Sequence, residues 1–463
     1  MTPLIEAFLR TSAQLEVRPQ LLRELTNLFL KQMHIGLTTN SAMQIPMIVT
    51  WVLDKPDGSE TGEYLAIDLG GTNLRIIKVT LTGDFKYTSV SEKYAIPNTV
   101  RIGTARNLFM FIAKRVDNFV KTQFKSPLNK KLPLGFTFSY AAKQDAINHG
   151  VLKSWSKGFD VDGVEGNDVV ELLQNALDEL ETPVDVIALI NDTTGTLVAS
   201  MYCDSKTVLG CIFGTGINGA YYERMSNVGA VWGKQGNKKL CNDPLMAINC
   251  EYGAFDNNWM LLPRTKYDIH IDVKSPRPGE QLYEKMVAGY YLGELLRLIL
   301  LDYHSQGLIF VGQKVDKLMV PYSMDTSFPS NIEKFSGKTV GIMFKKHFQL
   351  NTTIGERAII YRLCTIIGTR AARLSAVAVA ALLLKQRVRS GNCACDGSVF
   401  NKYPLFRERV LEAVGAIYGV KSYQLPFNLT HAEDGSGVGA AIIACLTERR
   451  LREGKSVGVH EEK

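Results

Sequence analysis

The sequence predicts an α/β protein. Apolar segments with the short period of strands alternate with longer amphipathic helical patterns along the whole chain. The run Val184–Ile190 is typical of a central strand of a sheet that is covered on both faces. At 463 residues, the chain is long enough for two domains or one large two-lobed unit.

In the first half of the chain, Leu22, Leu25 and Phe29 recur on one face of a helical pattern, and Gly36 is placed to end that helix. The predicted elements are a helix over 18–35, a loop over 54–62, strands over 64–67 and 74–79, a helix over 105–124, a loop over 126–133, a strand over 134–140, a helix over 168–179 and a strand over 184–190.

The second half continues the alternation. The predicted elements are strands over 209–213 and 217–222, a helix over 281–303, a helix over 356–388 broken near Gly368, a glycine-rich turn over 434–437 and a helix over 440–446. The most apolar segment, 374–384, is too short to span a bilayer and has cations on both sides. It is therefore predicted to be a buried helix.

Composition and charge exclude some function classes. Apolar residues make up 46% of the chain, charged residues make up 21%, and the formal net charge is +7. Because the basic residues are scattered and not clustered with aromatics, we expect no nucleic-acid partner. The first residues show no secretory signal, and we expect no membrane association.

The eight cysteines lie far apart or inside apolar runs. Cys393 and Cys395 are separated by one residue and not by two, so the usual zinc-site spacing is absent. We interpret all eight as reduced thiols and expect a cytoplasmic protein.

The most informative segment is the turn that follows the strand 64–67. Asp68 ends that strand, and Gly70, Gly71, Thr72 and Asn73 precede the next one. Glycines let the backbone approach a phosphate chain, and the exposed N–H groups and the Thr72 hydroxyl can donate to it. Asp68 could hold a hydrated Mg²⁺. No Gly-Lys-Ser/Thr follows, so this is not a Walker loop, and an ordinary hairpin turn remains the alternative.

A similar pattern recurs later in the chain. Two predicted strands flank Gly214, Thr215 and Gly216, as two strands flank the first glycine turn. Two such hairpins facing a shared cleft would hold a phosphate chain from both sides, which favours a duplicated fold.

Asn191 and Asp192 directly follow the strand 184–190. A carboxylate at the C-terminal end of a strand opens onto the crevice where α/β proteins bind ligands, and it can accept a proton from an attacking hydroxyl. The alternative is an Asx turn that ends the strand.

Other polar segments are candidates for binding a polyol. Ser156 and Lys157 offer donors beside a glycine, and Glu251 and Glu284 offer acceptors. Each has a plainer explanation as a loop or surface residue. The turns over 396–398 and 434–437 could serve a nucleotide or be plain turns, and the second of them precedes a helix N-terminus.

Taken together, these residues resemble the ATP-dependent hexokinases, the fungal ones in particular, over nearly the whole chain. The matching segments are 65–75, 134–140, 155–159, 188–193, 213–219, 248–253, 275–279, 367–372 and 432–437. The resemblance implies an actin-like, ribonuclease-H-like ATPase fold whose small and large domains close around a cleft. The predicted parts are an N-terminal helical segment over 1–61 that packs on the large domain, a small domain over 62–190 and a large domain over 191–463.

The resemblance also implies residue roles. Asp192 would be the general base, with Arg75 and Lys157 as cations near the transferred group, and Asp68 and Asp192 would hold Mg²⁺ through water. The hexose would be bound by Ser139, Ser156, Lys157, Asn191, Asp192, Asn218, Glu251 and Glu284. ATP would be bound by Asp68, Gly70, Gly71, Thr72, Asn73, Thr215, Gly397 and Ser398.

The predicted activity is phosphorylation of glucose, with fructose and mannose as further substrates, by ATP with Mg²⁺. A glucose-specific glucokinase and a sugar sensor with weak catalysis stay open. An actin-type ATPase is disfavoured by the segments 154–159 and 249–253. A monomer or homodimer is expected. The family usually has proline where Ala141 stands, so we expect weaker sugar binding than in a relative that carries the proline.

Overall fold

The structure is a computed structural model, and it describes residues 2–39, 45–124, 128, 130–140, 142–155, 159–229, 244–335, 337–432 and 435–459. The chain forms two compact units. The helical unit comprises Met1–Pro46, Ile212–Asn218 and Cys250–His431, and the sheet unit comprises Met47–Cys211, Gly219–Asn249 and Ala432–Lys463.

The core of the sheet unit is a five-stranded sheet. Its strands, in spatial order, are Val184–Ile190, Leu132–Phe138, Thr61–Leu69, Asn73–Gly83 and Lys86–Ala95. The first three strands are parallel, and the last three form an antiparallel meander. The C-terminal ends of the parallel strands therefore meet at one edge, where Ser139 and Asn191 follow their strands directly and Asp68 is the penultimate residue of its strand.

Helices cover both faces of this sheet. On one face, Ala105–Gln123 and Val169–Glu179 share an apolar core with strand residues such as Leu65 and Ile76. On the other face lies the C-terminal helix, Gly435–Arg452, beside the helix Asp192–Cys203. Small residues allow this close packing, because a Cβ on Gly135 would lie 2.1 Å from the Ala440 carbonyl oxygen. The sheet unit also contains a short helix, Asn98–Arg101, and two strand pairs: Ile102–Thr104 with Asp160–Asp162, and Ala142–Ala146 with His149–Leu152. A further antiparallel group consists of Ile48–Val49, Leu245–Asn249 and Ile217–Arg224.

The helical unit is built around the long helix Ile354–Lys385. A capping box formed by Thr353 and Glu356 begins this helix. Its other helices are Pro3–Leu15, Pro19–Thr38, Lys266–Val273, Leu282–Val287, Gly289–Ser305, Asp316–Met319, Ser327–Lys334, Gly337–Phe348, Ser398–Lys402 and Phe406–Tyr418. The strands Gly391–Asp396 and Phe427–His431 pair in parallel, and the strand Thr207–Phe213 contributes residues to both units, as does Ile217–Arg224.

The α/β class is confirmed, and several local expectations are wrong. Gly36 does not end its helix, which runs to Thr38, because Gly36 is buried and packing offsets the low helix propensity of glycine. The strand Thr61–Leu69 begins inside the predicted loop 54–62. Val184–Ile190 lies at the edge of the five-stranded sheet and not at its centre.

Two helix predictions also need correction. The predicted helix 281–303 is divided at Ala288, whose extended backbone ends Leu282–Val287 before Gly289–Ser305 begins. The long helix is continuous through Gly368, where no break occurs.

The long helix is also the one described helix that is long and apolar enough to cross a membrane, which corrects the argument from length. Its most apolar window is 83% buried inside the protein, as predicted for a core helix.

The limits of the compact units do not coincide with the predicted domain boundaries at 61 and 190. Residues 191–211 and the C-terminal helix group with the five-stranded sheet, because the C-terminal helix packs on its strands and the helix Asp192–Cys203 packs on the C-terminal helix. The domain division drawn from the resemblance stays a prediction.

Candidate functional site

The first glycine turn, residues 70–72, joins two antiparallel strands of the sheet unit. The Gly70 N–H donates to the Asn73 carbonyl at 3.0 Å, and the Thr72 carbonyl accepts from the Ile96 N–H at 3.0 Å. The Tyr140 hydroxyl donates to the Gly70 carbonyl at 3.3 Å. Burial raises the Tyr140 pKa, so the phenol stays protonated and remains a donor.

A cavity of about 370 Å³ opens beside this turn. It is lined by Asp68, Gly70, Gly71, Thr72, Asn73, Arg75, Ser91 and Lys93. Arg75 is the direct cross-strand partner of Asp68, and Lys93 is that of Arg75, so two cations and one carboxylate form a row across three strands. Sequence reasoning missed Ser91 and Lys93, because only the strand register brings them to the turn.

Asp68 has a partner from the distant C-terminal helix. The Ser436 hydroxyl donates to Asp68 Oδ2 at 2.8 Å, and the Thr137 hydroxyl donates to the Ser436 carbonyl at 3.0 Å. The C-terminal helix begins at Gly435, five residues before the predicted start at Ala440, so Ser436 belongs to its first turn. The glycine-rich turn 434–437 was the signal that could have identified Ser436.

The oxygen ligand beside this cavity fits a hydrated Mg²⁺. The residues that the structure describes contain no cluster of three or more His, Cys, Asp or Glu side chains that could hold a metal ion. Mg²⁺ usually keeps several waters and binds through one or two carboxylates together with substrate phosphates. A single half-buried carboxylate in the wall of this cavity, Asp68, matches that requirement.

Asn191 and Asp192 form the junction between the strand Val184–Ile190 and the helix Asp192–Cys203. Asn191 is the N-cap, and its side chain accepts from the Thr193 N–H at 2.9 Å. Asp192 Oδ1 accepts from the Thr193 N–H at 2.7 Å and from its hydroxyl at 3.1 Å. The Asx turn is therefore present, and it fixes a partly exposed carboxylate at this edge of the sheet.

Ser139 follows the neighbouring parallel strand, Leu132–Phe138, and is 8% exposed. Close to this edge lies a small cavity of about 20 Å³, room for roughly one water molecule. Its polar wall includes Thr50, Gln144, Asn191 and Asn249. Sequence reasoning missed Gln144 and named Asn249 only within the segment 249–253; both reach the cavity from other elements.

Aromatic packing holds Trp155 and Phe159, which flank residues 156–158 in the sequence. Trp155 stacks on Phe159 at 5.1 Å between ring centroids and meets the Tyr140 ring edge-on at 4.9 Å. The Trp155 indole N–H donates to the Val161 carbonyl at 3.1 Å. Ser156, Lys157 and Ala141 lie outside the described residues, so their roles stay predictions.

The helical unit brings Asn218, Glu251 and Glu284 together. The Asn218 amide donates to Glu251 Oε1 at 2.9 Å and accepts from the Glu251 N–H at 2.9 Å. The Tyr252 hydroxyl donates to the Asn218 carbonyl at 2.7 Å. Glu251 adopts a left-handed backbone with φ of 52°, a strained conformation for glutamate, and such strain clusters at functional sites.

Glu284 is positioned by two glycines. Its Oε2 accepts from the Ile217 N–H at 3.0 Å. A Cβ on Gly216 would lie 2.8 Å from Glu284 Oε2, and one on Gly253 would lie 3.1 Å from Glu284 Cβ and 2.2 Å from Gln281 Oε1. Burial, followed by the nearby Glu284 charge, raises the pKa of Tyr291. Glu284 is therefore half-buried and held by a backbone N–H, which disfavours the alternative of an unconstrained surface residue.

The two predicted nucleotide turns of the helical unit lie against each other. A Cβ on Gly397 would lie 2.5 Å from the Phe213 carbonyl, and Gly397 has φ of 109°, which favours glycine. The Gly289 N–H, at the start of a helix, donates to the Gly214 carbonyl at 2.8 Å. Thr215 and Ser398 are therefore carried on adjoining turns.

The candidate residues fall into two groups. The sheet unit contains Asp68, Gly70, Gly71, Thr72, Asn73, Arg75, Ser139, Asn191 and Asp192. The helical unit contains Thr215, Asn218, Glu251, Glu284, Gly397 and Ser398. Within each group, glycines and backbone hydrogen bonds position polar side chains, as a site for polar, anionic substrates requires.

Two family models, both described as Hexokinase, match this chain over residues 7–202 and 208–446. Curated relatives match over nearly its full length. It is 48% identical to the hexokinase of Kluyveromyces lactis, covering 96% of this chain and 93% of that one. It is also 48% identical to hexokinase-1 of Saccharomyces cerevisiae, covering 96% and 92%.

Solved structures give the same result. A hexokinase from Schistosoma mansoni complexed with glucose superposes with a TM-score of 0.85 at 34% identity, covering 96% of this chain and 99% of that one. A second hexokinase crystal structure superposes with a TM-score of 0.83 at 28% identity, covering 96% and 99%.

Proposed function

This chain belongs to the hexokinase family, and from that premise we propose that it transfers the γ-phosphoryl group of ATP to the 6-hydroxyl of D-glucose, D-fructose and D-mannose. Family membership makes it an ATP-dependent hexose kinase that acts on glucose. The observation that supports the proposed mechanism most directly is the Asp192 carboxylate, fixed on a helix N-terminus at the sheet edge.

Asp192 is assigned the role of general base. Phosphoryl transfer needs little covalent help, so positioning of the attacking hydroxyl and stabilisation of charge carry most of the catalysis. Asp192 Oδ1 is held by Thr193, which orients the carboxylate to accept the proton of the 6-hydroxyl. Lys157 and Arg75 are assigned to the transferred group as cations.

Hexose binding is assigned to polar side chains whose own hydrogen bonds fix their orientation. The residues are Ser139, Ser156, Lys157, Asn191, Asp192, Asn218, Glu251 and Glu284. A sugar hydroxyl needs a donor and an acceptor together, and amides paired with carboxylates supply both. Asn218 and Glu251 hold each other through two mutual hydrogen bonds, and the Glu284 carboxylate accepts from a backbone N–H.

ATP binding is assigned to Asp68, Gly70, Gly71, Thr72, Asn73, Thr215, Gly397 and Ser398. The cavity beside the first glycine turn offers backbone and side-chain donors and two cations to the phosphates. Asp68, and with it Asp192, would hold Mg²⁺ through water, and a bound Mg²⁺ would offset negative charge on the phosphates.

The test is a coupled kinase assay with Mg-ATP that compares glucose, fructose and mannose. Turnover on all three sugars supports the proposal, turnover on glucose alone indicates a glucokinase, and no turnover with retained glucose binding indicates a sensor. The sensor is disfavoured because Asp68, the first glycine turn and Asp192 are all intact.

The matched variants for this assay are Asp192→Ala and Asp185→Ala. Loss of the base should lower kcat by roughly 10²–10⁴ with a smaller change in KM. Asp185 lies on the strand that precedes Asp192, is half exposed and pairs with Lys131 at 3.1 Å, so its removal should leave kcat unchanged. Equal kinetics in both variants would contradict the role of Asp192.

Three further expectations go with this proposal. We propose a cytoplasmic location, a monomer or homodimer in solution, and sugar binding weakened by Ala141. The last is tested by Ala141→Pro, which should tighten glucose binding because proline restricts the loop after Tyr140.

A further inference from the structure

We infer that the C-terminal tail segment, residues 456–459, is a positioning element for the catalytic carboxylate. It acts through the hairpin 142–152, which joins it to the strand that directly precedes Asn191 and Asp192. This inference rests on the proposed role of Asp192 as general base.

The tail segment pairs with the tip of the hairpin. The Ile147 N–H donates to the Val457 carbonyl at 3.0 Å, and the Val459 N–H donates to the Asp145 carbonyl at 2.7 Å. Gly458 forms an antiparallel bridge with Ala146. A Cβ on Gly458 would lie 2.3 Å from Ala146 Cα, so the pairing requires glycine at this position.

The hairpin in turn holds both backbone groups of one residue at the edge of the sheet. The Leu189 N–H donates to the Ile147 carbonyl at 2.7 Å, and the Leu189 carbonyl accepts from the Gln144 amide at 2.9 Å. A Cβ on Gly150 would lie 2.2 Å from Leu189 Cδ2, so glycine again allows the contact. Val184–Ile190 is an edge strand, so within the described part of the chain no neighbouring strand of this sheet bonds its outer side. The hairpin supplies hydrogen bonds to that side at Leu189 instead.

Ile147 makes hydrogen bonds both to the tail segment and to the edge strand. Its N–H bonds the tail and its carbonyl bonds Leu189, so the tail, the hairpin tip and the edge strand form one continuous hydrogen-bonded path. Leu189 precedes Asn191, the cap of the next helix, by two residues and Asp192 by three. A shift of the hairpin therefore moves the end of the strand Val184–Ile190, and with it the Asp192 carboxylate that follows.

The tail segment is itself fixed to the body of the sheet unit. The Ser456 carbonyl accepts from Arg450 Nε at 3.0 Å and from Nη2 at 2.9 Å. Arg450 Nη1 donates to both carboxylate oxygens of Asp54 at 3.0 Å, so the guanidinium is used on two sides. The Ser456 hydroxyl donates to the Gly458 carbonyl at 2.6 Å, which shapes the segment for pairing.

The same hairpin lines the small cavity beside Asn191. Ala142 and Gln144 form part of the wall that Leu189, Ile190 and Asn191 complete. The hairpin thus contacts the strand end from the cavity side as well as through Leu189. Detaching the tail removes the outermost layer that holds this wall, and misplacement of a catalytic group by about 1 Å can cost roughly 100-fold in rate.

The experiment uses the full-length enzyme, a variant ending at Lys455 and the substitution Gly458→Val. Both changes remove the pairing with the hairpin, and Gly458→Val leaves the Arg450 bonds to Ser456 available. Lys455→Ala is the matched control, since Lys455 is an exposed tail residue that pairs only with Glu453 among the described ion pairs. We expect kcat for glucose to fall by roughly tenfold in the first two variants, with KM for Mg-ATP within about twofold and the control unchanged.

A double-mutant cycle separates positioning from simple loss of stability. In an Asp192→Ala background, ending the chain at Lys455 should change the residual rate by less than about twofold, because the group that the tail positions is already gone. Amide hydrogen exchange at Ile147 and Leu189 should become faster in the tail variants and stay unchanged in Lys455→Ala.

An unchanged kcat in the variant ending at Lys455 would overturn the inference, as would an equal loss in the Asp192→Ala background. If the shortened chain does not fold, Gly458→Val decides by the same two criteria. Failure of the proposed function itself would look different, since the unaltered protein would then phosphorylate no hexose.

Discussion

At the scale of single residues, Glu284 illustrates how an ordinary-looking glutamate becomes a candidate ligand. It lies inside a helical pattern that offers no distinguishing motif. The structure surrounds it with Gly216 and Gly253, and its Oε2 accepts from the Ile217 N–H. The absence of a side chain at Gly216 leaves room for the carboxylate, and its absence at Gly253 leaves room for the Glu284 Cβ and the Gln281 amide.

Gly216→Ala tests this arrangement. The new Cβ would lie 2.8 Å from Glu284 Oε2 and displace the carboxylate. A hydrogen bond to a charged group contributes about 1.5–3 kcal/mol, so we expect KM for glucose to rise by roughly tenfold or more. Steady-state kinetics measure it, with Gly355→Ala as control because nothing lies within 4 Å of a Cβ there. A KM equal to that of the control would contradict the proposed role of Glu284.

Ser436 is the second residue whose role depends on a distant partner. It donates to Asp68 Oδ2 at 2.8 Å from the C-terminal helix, 368 positions along the chain. A carboxylate oriented in this way has one oxygen committed to the protein. The hydroxyl therefore helps to determine how Asp68 faces the cavity beside the first glycine turn.

Ser436→Ala should raise KM for Mg-ATP by roughly tenfold and leave KM for glucose little changed. The loss of one hydrogen bond to a charged group sets that magnitude. Ser305→Ala is the control, since its hydroxyl donates to the Asp302 carbonyl on an exposed helix end. Titrating both substrates in the three proteins decides the matter, and an effect confined to glucose would count against Asp68 as a nucleotide residue.

At the scale of elements, the long helix Ile354–Lys385 shows why a glycine need not break a helix. A Cβ on Gly368 would lie 2.4 Å from the Tyr403 ring and 2.9 Å from Arg409 Nη1. The Tyr403 hydroxyl donates to the Cys364 carbonyl at 3.2 Å, one turn earlier on the same helix. Gly368 therefore serves close packing of a buried ring, and the helix continues past it.

For Gly368→Ala, close packing and helix propensity predict opposite changes in the free energy of unfolding. Propensity alone would stabilise the protein by about 1 kcal/mol, whereas overpacking against Tyr403 costs about 1–3 kcal/mol. We expect a lower free energy of unfolding and a lower Tm. Urea and thermal unfolding measure it, and Gly355→Ala, near the start of the same helix, should be neutral or stabilising. Stabilisation by Gly368→Ala would show that Tyr403 moves aside without cost.

Some element boundaries follow from local sequence, and others follow from contacts with distant segments. The helix Ala105–Gln123 and the strand Val184–Ile190 match their predicted limits within a residue or two, because their hydrophobic periods are complete. The break at Ala288 has no local signal. It follows from the Gly289 N–H bonding the Gly214 carbonyl, a contact that lies far away in sequence.

At the scale of the whole molecule, many tyrosines are buried, and burial raises their pKa. The pKa of Tyr202, Tyr322 and Tyr418 is raised to about 12 from 10.0, with burial as the largest cause in each. These phenols stay neutral in the folded protein at a pH at which an unfolded chain already ionises them. Folding is therefore linked to proton binding at alkaline pH.

We predict that stability is fully present below about pH 10 and falls as the pH rises from about 10 to about 12. In that window the unfolded chain loses tyrosine protons that the folded protein retains. Urea unfolding across the window, followed together with tyrosinate absorbance, measures the effect. Ionisation of all the tyrosines with the midpoint of an exposed phenol, while the fold persists, would contradict it.

The α/β class, the family and the positions of the polar residues follow from the amino-acid sequence alone, because these depend on local periodicity and on short motifs such as 68–73 and 188–193. The folded structure was needed to learn which residues meet: Ser436 with Asp68, Gly216 and Gly253 with Glu284, and the tail with the hairpin that holds Leu189. These pairings depend on strand register and on close backbone approach between distant segments. No local sequence pattern encodes them, since each partner alone is compatible with an ordinary turn, helix or chain end.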